Sequence, residues 1–186
     1  YVIKDKKNKF KLCSPKAHYS CVRYSYKVIQ KFFNYKKTKN KLIKSNIFFP
    51  KINNIKNYDE QIKKIGGIDI FLLASGATDG HVAFNNKNSK INDSTHIIKL
   101  SKETRSDNLK TFPKFKSLKE VPKYGISVGL GTIHKLTKKA ILVLSGEEKQ
   151  KSAKIILKRK YFTSKWPASI IYKCKKKYIY IDMKAL

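Results

Sequence analysis

The residues whose types and spacing could do chemistry lie in Ala74-Ser75-Gly76-Ala77-Thr78-Asp79-Gly80-His81-Val82-Ala83-Phe84-Asn85. A carboxylate two positions from an imidazole can fix the ring's tautomer and support its protonated form, and histidine is the side chain that titrates nearest neutral pH. Asp79 and His81 thus form a candidate acid/base unit, and small residues such as Gly76 and Gly80 let backbone approach a ligand closely. A surface turn with a solvated Asp and His is the competing reading of the same short motif. The other candidates carry less. His18, His96 and His134 lie far apart with no His-x-x-x-His spacing, and Cys13, Cys21 and Cys174 form no Cys-x-x-Cys pair, so neither a zinc module nor a disulfide framework is expected.

The elements that must position this loop are legible in the apolar pattern. Ile68 to Ala74 reads as a buried strand leading straight into the loop, after a short helix opened by Tyr58-Asp59-Glu60 and closed at Gly66-Gly67. Further strands are expected at His96 to Leu100, Ile126 to Val128, Ala140 to Ser145 and Tyr178 to Asp182. Helices are expected from Lys102 to about Phe112, with Ser101 as N-cap, and from Glu147 to Leu157. Upstream, Lys4 to Lys11 reads as an exposed polar excursion and Ser14-Pro15 as a turn. His18 to Phe33 spaces Cys21, Tyr24, Val28, Ile29, Phe32 and Phe33 as an amphipathic helix. Apolar strands each followed by a turn and helix predict an α/β fold, a mostly parallel sheet with helices on both faces. In such folds ligands gather beyond the carboxyl ends of the strands, which directs attention to the loops after Ala74, Val128 and Ser145.

Composition limits the partners. The chain has 186 residues, 41% of them hydrophobic, enough for a real core. The formal charge of +31 is almost wholly lysine, since arginine occurs only at Arg23, Arg105 and Arg159. Lysine is a hydrated point charge without arginine's planar fork, and here it is spread through the chain, so no specific nucleic-acid partner is expected. Generic adhesion to polyanions at low salt is expected instead. The longest apolar stretch, Ile68 to Ser75, is too short to span a bilayer, and no signal-peptide core opens the sequence, so no membrane partner and a cytoplasmic location are expected.

The strand-loop segment with Asp79-Gly80-His81-Val82-Ala83-Phe84-Asn85 resembles the glucosamine-6-phosphate deaminase and isomerase family, whose signature is a hydrophobic strand, a glycine loop and Asp-Gly-His-x-Ala-Phe-Asn. The resemblance continues through Thr104-Arg105-x-x-Asn108, Val121-Pro122-Lys123-Tyr124-Gly125-Ile126-Ser127-Val128-Gly129-x-Gly131-Thr132-Ile133 and Ser145-Gly146-Glu147-Glu148-Lys149. It covers nearly everything from residue 58 onward, and Ser14 to Ser20 resembles the family's lead into a helix. The related 6-phosphogluconolactonases usually follow Asp-Gly-His with Ala-Ser-Leu-Phe-Pro, so Ala83-Phe84-Asn85 favours the deaminase side.

The resemblance implies a Rossmann-like deaminase/isomerase domain across 1–186, incomplete at its N-terminus, with 59–186 carrying the similarity and 1–58 lysine-rich. It implies conversion of an aminosugar 6-phosphate to a ketose phosphate and ammonia, with no organic cofactor and no metal. By resemblance His81 would open the sugar ring with Asp79 orienting it, Gly76, Gly80 and Asn85 would belong to the substrate loop, and Lys149 and Lys110 would meet the 6-phosphate. A small-molecule sugar phosphate is the implied partner, with a homo-oligomer possible. The base for proton transfer between C1 and C2 is expected just before a Tyr-Val-like sequence, hence upstream of Tyr1-Val2. Asn86 stands where well-known deaminases have glutamate, and an amide cannot carry a proton at neutral pH. A lactonase-type hydrolase and a non-catalytic sugar-phosphate binder therefore stay open as alternatives.

Overall fold

The computed structural model describes residues 1–35 and 39–186. Its centre is a parallel sheet of β3 (Ile68–Ala74), β6 (Thr137–Leu144) and β7 (Lys176–Ile181), with β6 in the middle. The register sets Leu73 beside Leu142 and Leu142 beside Ile179. Side chains alternate across the pleat. Leu73, Ala140, Leu142 and Leu144, with Phe71, Ile179 and Ile181, therefore share one face and build the core. Against it pack Leu130 and Ile133 of α5 (Leu130–Leu136), Ala153 and Ile156 of α6 (Gln150–Arg159), and Ala168, Ile170 and Ile171 of a 3₁₀ segment over Pro167–Lys173.

The opposite face differs from expectation. Ile70 is 55% exposed, Leu72 71%, Val143 45%, Tyr178 47% and Tyr180 59%, so among the described residues the sheet is covered on one face only. Among the described residues β3 is also an edge strand, paired to β6 alone, and Leu73 is its only buried residue. A continuously apolar strand matches burial on both faces, but the described elements supply a second layer on one side only.

A second sheet was not foreseen. β1 (Val2–Lys4), β2 (Phe10–Leu12), β4 (His96–Lys99) and β5 (Tyr124–Ser127) form an antiparallel sheet in the order β2-β1-β5-β4. The polar excursion expected at Lys4 to Lys11 is the tip of its hairpin at residues 5–9 together with the paired strand ends Lys4, Phe10 and Lys11. Asp5 Oδ1 accepts from the Lys7 and Lys9 amides at 2.8 and 2.9 Å, and Asn8 takes φ 59° to close the turn. Here the polar residues occupy a turn whose short arms are paired.

The expected helix near residues 18–33 runs as α1 (Cys21–Tyr24), a wider π-type stretch Ser25–Ile29 and α2 (Gln30–Tyr35). It buries no residue, and Tyr24, Val28, Phe32 and Phe33 are all exposed. The segment is helical as the spacing predicts, but its middle third is wider than an α-helix and the expected burial of one face is not observed. α3 (Tyr58–Lys64) is fastened by Asp59, whose carboxylate accepts from the Thr95 amide (3.2 Å), the Thr95 hydroxyl (2.5 Å) and the Thr132 hydroxyl (2.7 Å). α4 (Lys102–Thr111) starts at Ser101, which accepts from the Thr104 amide at 3.0 Å as an N-cap should. No helix among the described residues is long and apolar enough to cross a membrane.

Candidate active site

The loop leaving β3 folds back on itself, with the Gly76 amide donating to the His81 carbonyl at 2.7 Å. This closure brings Asp79 against His81. The imidazole Nδ1 lies 2.7 Å from Asp79 Oδ1, which also accepts from the His81 amide at 3.2 Å. The contact leaves no room for a Cβ at position 76 unless the pair moves, because a Cβ there would sit 2.2 Å from His81 Nδ1 and 2.5 Å from Asp79 Oδ1. Gly80 has φ +68°, and a Cβ on it would meet the Trp166 indole at 2.2 Å. The Ala168 amide donates to the Gly80 carbonyl at 2.8 Å. The Trp166 stretch is thus the floor on which the loop rests.

Asp79 is only 2% exposed. Burial by itself would raise its pKa, but the hydrogen bond and charge of the His81 imidazole, the His81 backbone amide and the Ser101 hydroxyl outweigh it. The carboxyl is held below its ordinary range. Asp79 is therefore an anion at neutral pH, occupying Nδ1 and leaving Nε2 as the ring nitrogen available for proton transfer.

His81 lines an open cleft of about 1160 Å³ beyond the carboxyl end of β3, together with Gly76, Lys110 and Lys149. Four residues predicted from the sequence, drawn from three separate segments, thus line one space. Lys149 ends a 3₁₀ turn just before α6 and donates through Nζ to the Ser75 carbonyl at 3.0 Å. Lys110, near the end of α4, is exposed. Lys151, which sequence reasoning missed, also lines the cleft; its Nζ donates to the Thr78 carbonyl at 3.0 Å and lies 5.6 Å from the Trp166 ring centroid. In a chain this rich in lysine no local signal distinguishes it. Ser152 adds a buried brace, its hydroxyl 2.6 Å from that of Ser75.

Two residues expected in the substrate loop are not among those lining the cleft. Gly80 faces Trp166. Asn85 is fully buried, and its Nδ2 donates to the Val82 carbonyl, the Ser127 hydroxyl and the Val128 carbonyl at 3.0, 3.2 and 2.8 Å. It ties the loop to the end of β5. Asn86 likewise turns away, donating to the Lys99 carbonyl at 3.2 Å. Arg105 fastens α4 by donating to the carbonyls of Leu118 and Val121. Asp79 stands behind His81, and its Oδ2 accepts from Ser101 at 3.3 Å. The N-cap was legible in sequence; its contact with a carboxylate 22 residues away was not. No group of three metal-ligating side chains occurs among the described residues.

No protein-family model matches the chain. Among curated proteins it is 36% identical over 156 residues to a glucosamine-6-phosphate deaminase of Thermoanaerobacter sp. (strain X514), which covers 80% of this chain and 57% of the relative. It is 34% identical over 165 residues to the enzyme of that name from Clostridium beijerinckii, covering 86% and 64%. The chain belongs to the glucosamine-6-phosphate deaminase family. It spans roughly three-fifths of the length of these curated relatives. Among solved structures, a monomeric glucosamine-6-phosphate deaminase superposes with a TM-score of 0.78 at 26% identity, over 93% of this chain and 69% of that one. A 6-phosphogluconolactonase from Leishmania guyanensis superposes with a TM-score of 0.62 at 15% identity, over the same shares, which is a likeness of fold alone.

Proposed function

We propose that the chain carries the ring-opening half of a glucosamine-6-phosphate deaminase site, converting glucosamine 6-phosphate and water into fructose 6-phosphate and ammonia. The observation that carries this reading is the Asp79–His81 pair, hydrogen-bonded at 2.7 Å, in a cleft also lined by Lys110 and Lys149. With Nδ1 held by an anionic Asp79, Nε2 can deliver a proton to the ring oxygen as the pyranose opens and take one back on closure. Lys149 and Lys110, from different elements, supply positive charge for the 6-phosphate. Anchoring through the phosphate fixes the sugar without burdening the reacting end.

Proton transfer between C1 and C2 needs a separate base, which on this reading is expected just before Tyr1. The test follows: ammonia release from glucosamine 6-phosphate is measured for this chain, for a version extended upstream with the relatives' Asp-Glu segment, and for His81→Ala in each. Ammonia from the extended protein that drops by about 10²-fold or more in His81→Ala is expected. A folded extended protein that releases none overturns the deaminase reading. Hydrolysis of 6-phosphogluconolactone by that protein would then put the lactonase reading in its place.

A further inference from the structure

We infer that Ser101 is a positioning residue for the Asp79–His81 pair, fixing the carboxylate and, through it, the direction in which the imidazole presents Nε2. The two oxygens of Asp79 have different partners. Oδ1 takes the His81 imidazole at 2.7 Å and the His81 amide at 3.2 Å, whereas Oδ2 takes the Ser101 hydroxyl at 3.3 Å. A carboxylate held by one oxygen alone can rotate about its Cβ–Cγ bond, and the imidazole would follow it. Ser101 holds the second oxygen.

The proton on Ser101 has little freedom. Its oxygen accepts from the Thr104 amide at 3.0 Å as the N-cap of α4 and lies 3.1 Å from the Thr104 hydroxyl. A serine hydroxyl has one proton, and the bond to an anion is the stronger one. Ser101 therefore donates to Asp79, and Thr104, itself 1% exposed, donates back to Ser101. The chain Thr104 to Ser101 to Asp79 to His81 joins the start of α4 to the imidazole. Because α4 also carries Lys110 to the cleft, the same helix sets the proton carrier and one of the cations.

Asp79 is faced by few other groups. His81 comes from its own loop and Ser101 from α4. From the α6 side, the Lys149 and Lys151 ammonium groups end on the Ser75 and Thr78 carbonyls of the same loop. Removal of the Ser101 donor thus leaves Asp79 with His81 as its only side-chain hydrogen-bond partner among the described residues.

The test compares the wild-type chain with Ser101→Gly and Ser101→Thr, since glycine serves at an N-cap almost as well as serine but has no hydroxyl. Two readouts are independent of activity: the midpoint of the Asp79 carboxyl resonance on acid titration, and the His81 ring ¹⁵N shifts, which report the tautomer. In S101G the midpoint is expected to rise by about half to one pH unit, and the ring to change from one tautomer to a mixture, with both restored in S101T. A folded S101G with the wild-type midpoint and a single tautomer overturns the inference, because a cap with a purely structural role would move neither.

The catalytic consequence rests on the deaminase reading and is measured in the extended protein. There S101G is expected to lower kcat about tenfold with KM unchanged and to move the acid limb of the kcat profile upward with the titration midpoint. An unmoved acid limb in an active enzyme overturns the role in catalysis. An extended wild type that releases no ammonia overturns the deaminase reading alone, since the two resonance measurements still decide whether Ser101 positions the pair.

Discussion

At the scale of single residues, the site depends on a space too small for a methyl group. Alanine at position 76 would bring its Cβ within 2.6 Å of three atoms of the Asp79–His81 pair. No strained backbone dihedral is involved, so the chain can accommodate alanine by displacing the imidazole. A shift of about 1 Å in a reacting group can cost about 10²-fold in rate. Gly76→Ala is therefore expected to reduce kcat by that order in the extended protein while the far-ultraviolet circular dichroism stays unchanged; kcat within threefold of wild type would show that the pair tolerates displacement. Asp79 also has a pH signature. Its carboxyl lies below the value it would have unfolded, so the stability it contributes is fully present above the unfolded value of about 3.9 and is lost as pH falls through the folded one. Asp79→Asn is expected to flatten the fall of the thermal midpoint below about pH 4, read by calorimetry in steps of pH.

At the scale of elements, the site is an assembly of ends: the end of β3, the start of α4, the end of β5 and the start of α6. Asn85 is the staple between the first and third. Its amide donates to two backbone carbonyls and one hydroxyl in a fully buried position, so Asn85→Ala removes those bonds, although each acceptor keeps a second donor: the residue-85 amide on the Val82 carbonyl, the Phe84 amide on the Ser127 hydroxyl and that hydroxyl on the Val128 carbonyl. Each lost bond is worth about 0.5–1.5 kcal/mol net, and a fall in unfolding free energy of about 1–3 kcal/mol is expected in denaturant titration. The cations are separable in the same way. Lys149 both braces Ser75 and faces the cleft, whereas Lys110 does only the second. Lys149→Met is expected to raise KM for the phosphorylated sugar about 10- to 100-fold, the worth of a charge-assisted hydrogen bond, and Lys110→Met by less.

The same ends explain how far the sequence could be read. β3, β6, β7, α4 and α6 declare themselves by local periodicity and by Ser101, and Asp79 with His81 by adjacency. The pairing of β1 with β5, the turning of Asn85 away from the cleft and the contact of Ser101 with Asp79 join positions from about twenty to more than a hundred residues apart. No local pattern encodes such meetings. α5 was missed because its Leu130-Gly131-Thr132 start carries a glycine and a β-branched residue, both poor helix formers.

At the scale of the whole molecule two forces oppose each other. The charge of +31 drives copies apart, while among the described residues β3 presents an open edge and its sheet an uncovered row of Ile70, Leu72, Val143, Tyr178 and Tyr180. Unpaired apolar edges invite self-association. Which force wins depends on salt, because repulsion between exposed charges fades beyond a Debye length of about 10 Å at 0.1 M, whereas apolar attraction does not fade. Light scattering from this chain is therefore expected to rise as sodium chloride is raised from ~0.02 to ~0.3 M. Ile70→Glu should suppress the rise: Ile70 lies opposite Lys139 in the register, so the new carboxylate gains a cross-strand partner while the edge gains a charge. Scattering that instead falls with salt would show that association runs through the lysines and any bound polyanion, and Ile70→Glu would then leave it unchanged.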